Sequence, residues 1–277
     1  MKKWNKRRLS IILAISTLLL TIMPNAFNAA HAITNGELDG ENHPYVCLVV
    51  VDFWNGTHHV PAYRGTGILI SPTIVLTAGH LTYDASQARV WFDSSLETNE
   101  EYPGPGSTST EGTPHTHPNY VGSGGPGLND YNWVDVGLVE LVEPVYMDEY
   151  GVLPELGIVD TLRPMTMVDQ IGYGVQERVV GGGPVSWTGT LERYYAPAAI
   201  IKSKDVLMDD FIKTTANPGK GMGGTAFGDS GGPVLLEGTE IIVGLTSWGW
   251  NYNCAGISYA ARVDTVLVKN WVNSYIS

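Results

Sequence analysis

Cysteine is nearly absent: the chain has 277 residues and two cysteines, Cys47 and Cys254. Two cysteines exclude a dense disulfide scaffold, so a compact fold must rest on its own core. Their spacing alone does not say whether the two pair. Basic residues are also scarce, with 16 Lys and Arg against 28 Asp and Glu and a formal net charge of −12. A surface of that sign repels phosphate backbones and argues against nucleic acid as a partner. Charged residues make up only 16% of the chain and hydrophobic ones 43%, which excludes a disordered polymer.

A long apolar run occurs only once, at Ile11–Met23. It follows a basic start (Lys2, Lys3, Lys6, Arg7, Arg8) and precedes Ala30-His31-Ala32, a small-x-small cleavage pattern. The run falls short of the roughly 20 residues that a membrane span needs. Residues 1–32 therefore read as a secretory signal peptide. Its removal leaves 11 Lys and Arg against 28 Asp and Glu, a formal charge of −17, and no membrane contact is expected afterwards.

What remains is rich in glycine (33) and proline (15, the chain's 16 less Pro24). Short apolar segments separated by Gly, Pro, Asn and Asp clusters read as strands at residues 45–53, 65–70, 74–79, 88–92, 136–141, 165–174, 241–248 and 256–263. Residues 99–130 are poor in apolar side chains and read as a long surface loop. No internal repeat is visible. One helix is predicted, at the C-terminus, with Asp264 as its cap and Val268, Trp271, Val272, Tyr275 and Ile276 on one face.

The stretch Phe227–Val234, FGDSGGPV, places Ser230 in a glycine-rich loop. A serine hydroxyl needs a base, usually histidine, and that base needs an orienting carboxylate. The pattern G-x-S-x-G also marks the α/β-hydrolase elbow, whose order is serine, acid, histidine. The seven histidines stand at positions 31, 43, 58, 59, 80, 115 and 117, so none follows Ser230 and that order is excluded. The best upstream base is His80, at a strand end in VLTAGHL. The best carboxylate is Asp135, just before an apolar strand in NWVDVGLVEL, with Asp130 the weaker alternative. His58–His59 and His115/His117 lack a third ligand and read as surface polar residues. The acidic run Glu97, Glu100, Glu101 reads as a solvated loop. No metal and no cofactor are expected.

Six segments in order make the chain resemble the chymotrypsin-like (trypsin-like) serine proteases: ITNG (33–36), TAGH (77–80), HPNY (117–120), DVGLVEL (135–141), GDSGGP (228–233) and SWG (247–249). The resemblance spans nearly everything after residue 32. It implies an all-β fold of two antiparallel six-stranded β-barrels with a C-terminal α-helix. The expected limits are about 33–145 and 146–263 for the barrels and 264–277 for the helix. It implies His80, Asp135 and Ser230 as a catalytic triad, with the N–H groups of Gly228 and Ser230 as the oxyanion hole. It also implies an ion pair between Asp229 and the α-amino group of Ile33, with activity loss at alkaline pH if that amine loses its proton. Ile33 directly follows the signal-peptide site, so signal peptidase alone would expose it. Ser247 would hydrogen-bond Asp135, and Ser247, Trp248 and Gly249 would pair with an extended substrate.

The chain departs from the family's pattern at several places. The usual disulfide beside the histidine is replaced by Gly65 and Leu81, Ala226 removes a partner for Cys254 and Cys47 has no family partner, so the resemblance implies that both cysteines are unpaired. Gly224 stands where trypsin has a carboxylate, followed by Thr225. Thr246 stands where glutamate-specific relatives have histidine. With Gly249 and Gly256 leaving the walls open and Phe227 at the entrance, an apolar or aromatic side chain before the cleaved bond is expected. The resulting expectation is a secreted, monomeric serine endopeptidase acting on a protein or peptide substrate. The alternatives are a non-catalytic binding protein on the same fold and an esterase.

Overall fold

The computed structural model describes residues 33–121, 134–179, 186–202, 209–249, 254 and 256–276. The expected signal peptide and Asp130 lie outside them. A two-residue strand, β1 (Glu37–Leu38), leads into a first closed barrel. Its strands are β2 (Val46–Trp54), β3 (His59–Ser71), β4 (Ile74–Thr77), β5 (Gln87–Trp91), β6 (Thr110–Thr116) and β7 (Gly137–Leu141), closing in the order β2-β3-β4-β7-β6-β5. A single turn of helix, α1 (Gly79–Thr82), follows β4.

The second barrel uses β8 (Met167–Gly172), then, after the hairpin β9 (Glu177–Val179) and β10 (Ser186–Thr188), β11 (Tyr194–Lys202), β12 (Phe211–Ala216), β13 (Pro233–Leu236), β14 (Ile242–Gly249) and β15 (Gly256–Arg262). Its order is β11-β12-β15-β14-β13-β8, closed by β8 on β11, with β1 added to the outside of β11. The fold is two closed six-stranded antiparallel barrels followed by a C-terminal helix, α2 (Val266–Ile276).

Strand β2 shows why the barrels stay together. Val46–Asp52 are all buried, so the strand is covered on both faces rather than alternating inward and outward. Its side chains join one core cluster with Ile171, Tyr173 and Leu245 of the second barrel. A strand buried on both faces reads as a continuous apolar run, which is what CLVVV provides.

Three expectations are corrected. The loop expected over 99–130 contains β6, which pairs with both β5 and β7. Its sequence TEGTPHT lacks apolar alternation, and it is a strand because barrel closure needs one between those neighbours. The cap of α2 is Thr265, whose hydroxyl accepts from the Val268 N–H at 3.4 Å. Asp264 instead accepts from the Val159 N–H and from Arg262. Of the expected apolar helix face, Val268 and Val272 are buried, but Ile276 is 41% exposed. The third correction concerns His117, expected at the surface. It is buried, with its ring edge-on to Trp271 at 5.0 Å, and so helps seat the helix on the first barrel.

Candidate active site

Three side chains from the two barrels, those of His80, Asp135 and Ser247, meet between them. His80 lies on α1, three residues beyond the end of β4 rather than at the strand end itself. Asp135 stands two residues before β7, and β7 pairs with β4 (Thr77 opposite Gly137). That pairing brings two residues 55 positions apart into contact. The His80 backbone N–H donates to Asp135 Oδ1 at 2.7 Å, and His80 Nδ1 lies 2.8 Å from Asp135 Oδ2. A carboxylate only accepts, so the proton sits on Nδ1 and leaves Nε2 with a lone pair. From the second barrel, the Ser247 hydroxyl on β14 donates to the same Oδ2.

The electrostatics follow from this arrangement. Burial disfavours the charged form of both partners. Their mutual attraction and hydrogen bonds outweigh it, raising the His80 pKa above its ordinary value and lowering that of Asp135. The Asp135 side chain is 6% exposed, while that of His80 is 32% exposed toward the cleft.

Ser230 faces the same cleft as His80. The loop carrying it is held by its carbonyls. The Val175 N–H donates to Phe227 O at 2.7 Å, and the Gly232 N–H donates to Asp229 O at 2.8 Å. The Thr66 hydroxyl donates to Gly228 O at 3.0 Å. A peptide unit is planar and trans, so anchoring each carbonyl also fixes the N–H on the opposite side. The N–H groups of Gly228 and Ser230 are thereby set. Gly228 has φ +99°, a region that side chains avoid, and a Cβ there would stand 2.9 Å from Gly174 Cα. The loop also bridges the barrels. Thr66 N–H of β3 donates to Ser230 O at 2.8 Å, and Gly231 N–H donates to Thr246 O of β14 at 2.7 Å.

Thr66 is not legible in the sequence, because its role depends on strands far apart in the chain. It is fully buried, and besides serving Gly228 its hydroxyl accepts from the Tyr173 N–H at 3.1 Å. Thr66→Val keeps the shape but leaves Gly228 O and Tyr173 N–H without that partner. We expect a stability loss of about 1–3 kcal/mol, restored by Thr66→Ser, as read from denaturant unfolding.

Asp229 is fully buried, and its carboxylate accepts from Gly174 N–H and Ala226 N–H, both at 2.8 Å. Burial pushes its pKa up to about 7, against the two N–H groups and the more distant Arg64. Ile33 is fully buried too, and Thr34 next to it forms a bridge with Gly224. In the full-length chain the Ile33 nitrogen is an amide and carries no charge.

The remaining expected residues fall in two places. Gly224 and Thr225 are buried, and the Thr225 hydroxyl donates to Ser258 Oγ at 2.8 Å. Trp248 stacks on Tyr259 with ring centroids 3.6 Å apart, and a Cβ at Gly249 or Gly256 would meet nothing within 4 Å. Phe227, 48% exposed, instead lines the His80 side of a cleft of about 600 Å³ together with Tyr63, Tyr83, Gly228 and Ser230. Both cysteines are free thiols, Cys47 buried in the core. A Cβ at Gly65 would collide with the Leu81 side chain, so Leu81 fills the space where the resemblance implies a disulfide. Among the described residues no cluster of metal-ligating side chains occurs.

The family model described as Trypsin matches residues 40–272. The chain belongs to the trypsin family. The trypsin-family fold also appears in solved structures similar to it. HL collagenase aligns with TM-score 0.64 at 18% identity, covering 90% of this chain and 97% of that one. Neuropsin, a serine protease expressed in the limbic system of mouse brain, aligns with TM-score 0.58 at 18% identity, covering 85% and 95%. Human heparin binding protein aligns with TM-score 0.56 at 18% identity, covering 86% and 94%. A comparison with curated protein sequences finds no match. Among the described residues of this trypsin-family chain, no helix is long and apolar enough to cross a membrane.

Proposed function

We propose that the protein is a secreted serine endopeptidase using a His80–Asp135–Ser230 triad. The observation that carries this reading is the hydrogen-bonded series Ser247–Asp135–His80, with Ser230 in the same cleft. Ser230 Oγ attacks the scissile carbonyl carbon as its proton passes to His80 Nε2. The tetrahedral oxyanion is held by the N–H groups of Gly228 and Ser230. The C–N bond then breaks as His80 gives its proton to the leaving amine. Water repeats the sequence on the acyl-enzyme, freeing the acid and restoring Ser230.

Asp229 is proposed to be completed by the Ile33 α-amino group once residues 1–32 are removed. A buried carboxylate held near pH 7 by desolvation gains most from a cation at short range. The open walls at Gly249 and Gly256, with no charge at Gly224, support an apolar or aromatic side chain before the cleaved bond. The likeness to a heparin-binding protein favours a second reading, a non-catalytic binder. The net charge of −12 argues against a polyanionic ligand.

An organophosphonate separates the two readings. We expect stoichiometric labelling at Ser230 in secreted protein whose N-terminal sequence starts at Ile33. Folded protein with that terminus and no labelling would refute the enzyme. The pH profile gives a further check. His80 must be neutral to accept a proton, and Asp135 raises its pKa. On the acid side, the kcat/KM value should therefore fall as pH drops through a pKa above about 6.5, the ordinary histidine value, and on the alkaline side it should fall if the Ile33 α-amino group loses its proton.

A further inference from the structure

Tyr173 is fully buried and does not line the cleft, yet the loop carrying Ser230 is held from its backbone. Three consecutive N–H groups serve that loop. The Tyr173 N–H donates to the Thr66 hydroxyl at 3.1 Å, which in turn donates to Gly228 O. The Gly174 N–H donates to Asp229 Oδ1 at 2.8 Å, and the Val175 N–H to Phe227 O at 2.7 Å. The last bond matters most. The Phe227 C=O and the Gly228 N–H share one planar trans peptide, so a donor fixed on the carbonyl aims the N–H the opposite way. The oxyanion donor proposed at Gly228 is therefore only as well placed as the backbone of residues 173–175.

The Tyr173 side chain places that backbone. Its ring lies in the core shared by both barrels. Its hydroxyl is pinned at the other end, donating to Asp93 O at 2.8 Å and accepting from Arg193 Nη1 at 3.2 Å. Arg193 is fully buried and is itself fixed by the N-terminal segment. It donates through Nε to Asp39 Oδ2 at 2.7 Å and through Nη2 to Gly40 O at 2.6 Å. A tyrosine has only two side-chain torsions, so one held at its hydroxyl and at its N–H resists tilting. Phenylalanine would fill the same space, so packing alone does not require the oxygen.

We propose that Tyr173 is a positioning residue for the oxyanion hole. Asp93 and the Asp39–Arg193 pair fix its hydroxyl, and its ring carries that constraint to the N–H groups that hold the nucleophile loop. Donors of this kind must stay within about 0.5 Å of the productive geometry. The N-terminal segment thereby gains a hold on the site that does not depend on the Ile33 amine. This rests on the endopeptidase reading.

Tyr173→Phe removes the hydroxyl and keeps the ring. Turnover per phosphonate-titrated serine should fall about tenfold, since a displaced donor costs less than a deleted one, while KM stays within about twofold. A peptide aldehyde, whose adduct with Ser230 places an oxygen in the hole, should bind about tenfold more weakly. A role confined to packing would lower the unfolding temperature and move neither value. Thr66→Val cuts one of the three links and should lower kcat in the same sense by a smaller factor. If Tyr173→Phe does not fold, an unchanged kcat in Thr66→Val overturns the inference. Wild-type kcat in folded Tyr173→Phe, or a change confined to KM, overturns it as well. Phosphonate labelling of the wild type tells the two failures apart. No labelling refutes the enzyme reading, whereas labelling with unaltered kinetics in Tyr173→Phe refutes the role of Tyr173 alone.

Discussion

Ser230→Ala is expected to lower kcat about 10⁶-fold, leaving roughly 10³–10⁴-fold acceleration over water. Alanine removes the oxygen that would bond the acyl group. The rest of the site is left standing: the carbonyls of Phe227, Gly228 and Asp229 are held by Val175, Thr66 and Gly232, and none of those bonds involves Ser230 Oγ. Peptide affinity should therefore persist while turnover disappears. Active-site titration, kcat on an anilide and binding of an uncleaved peptide by tryptophan fluorescence check this together. A Ser230→Ala variant that turned over substrate at near wild-type rate would mean that another group does the chemistry.

Asp135→Asn is expected to lower kcat about 10⁴-fold near neutral pH. The carboxylate accepts from three donors, the His80 N–H, His80 Nδ1 and the Ser247 hydroxyl. An amide offers one oxygen and an NH₂ group. When the NH₂ faces the imidazole, Nδ1 must become the acceptor, and the ring proton moves to Nε2. In that tautomer His80 cannot take the serine proton. The charge that raises the His80 pKa is lost as well, so the acid limb of the profile should shift to lower pH. Thermal unfolding should show a folded protein. Loss of activity with an unchanged acid limb would show that Asp135 acts on something other than the imidazole.

The residues of this site are legible because their signals are local or are fixed by elimination. Ser230 stands in a motif, and counting histidines leaves only upstream bases. His80 and Asp135 each adjoin an apolar strand, and those strands, β4 and β7, are neighbours in the barrel. Strands with strong β character, such as β2 and β14, are legible near their observed limits. Strand β6 is not, because TEGTPHT has no apolar period and is ordered only by the neighbours on either side. Asp264 has the position of a helix cap, but the Arg262 guanidinium and the Val159 N–H claim its oxygens first.

The sequence by itself determined the fold family, the order of histidine, aspartate and serine, and the lack of charge at Gly224. These depend on residue identity and short spacings. Only the tertiary structure decided which side chains support them. Arg193, fully buried, donates to Asp39, Val46, Phe92, Tyr173 and Gly40, and so ties the N-terminal segment to both barrels. Removing one partner of a buried pair of this kind typically costs about 3–5 kcal/mol. Thr66 beneath the Gly228 carbonyl belongs to the same class. Each joins residues far apart in the chain, and no local period encodes such a contact. It exists only after barrel closure brings distant strands within hydrogen-bonding or van der Waals reach.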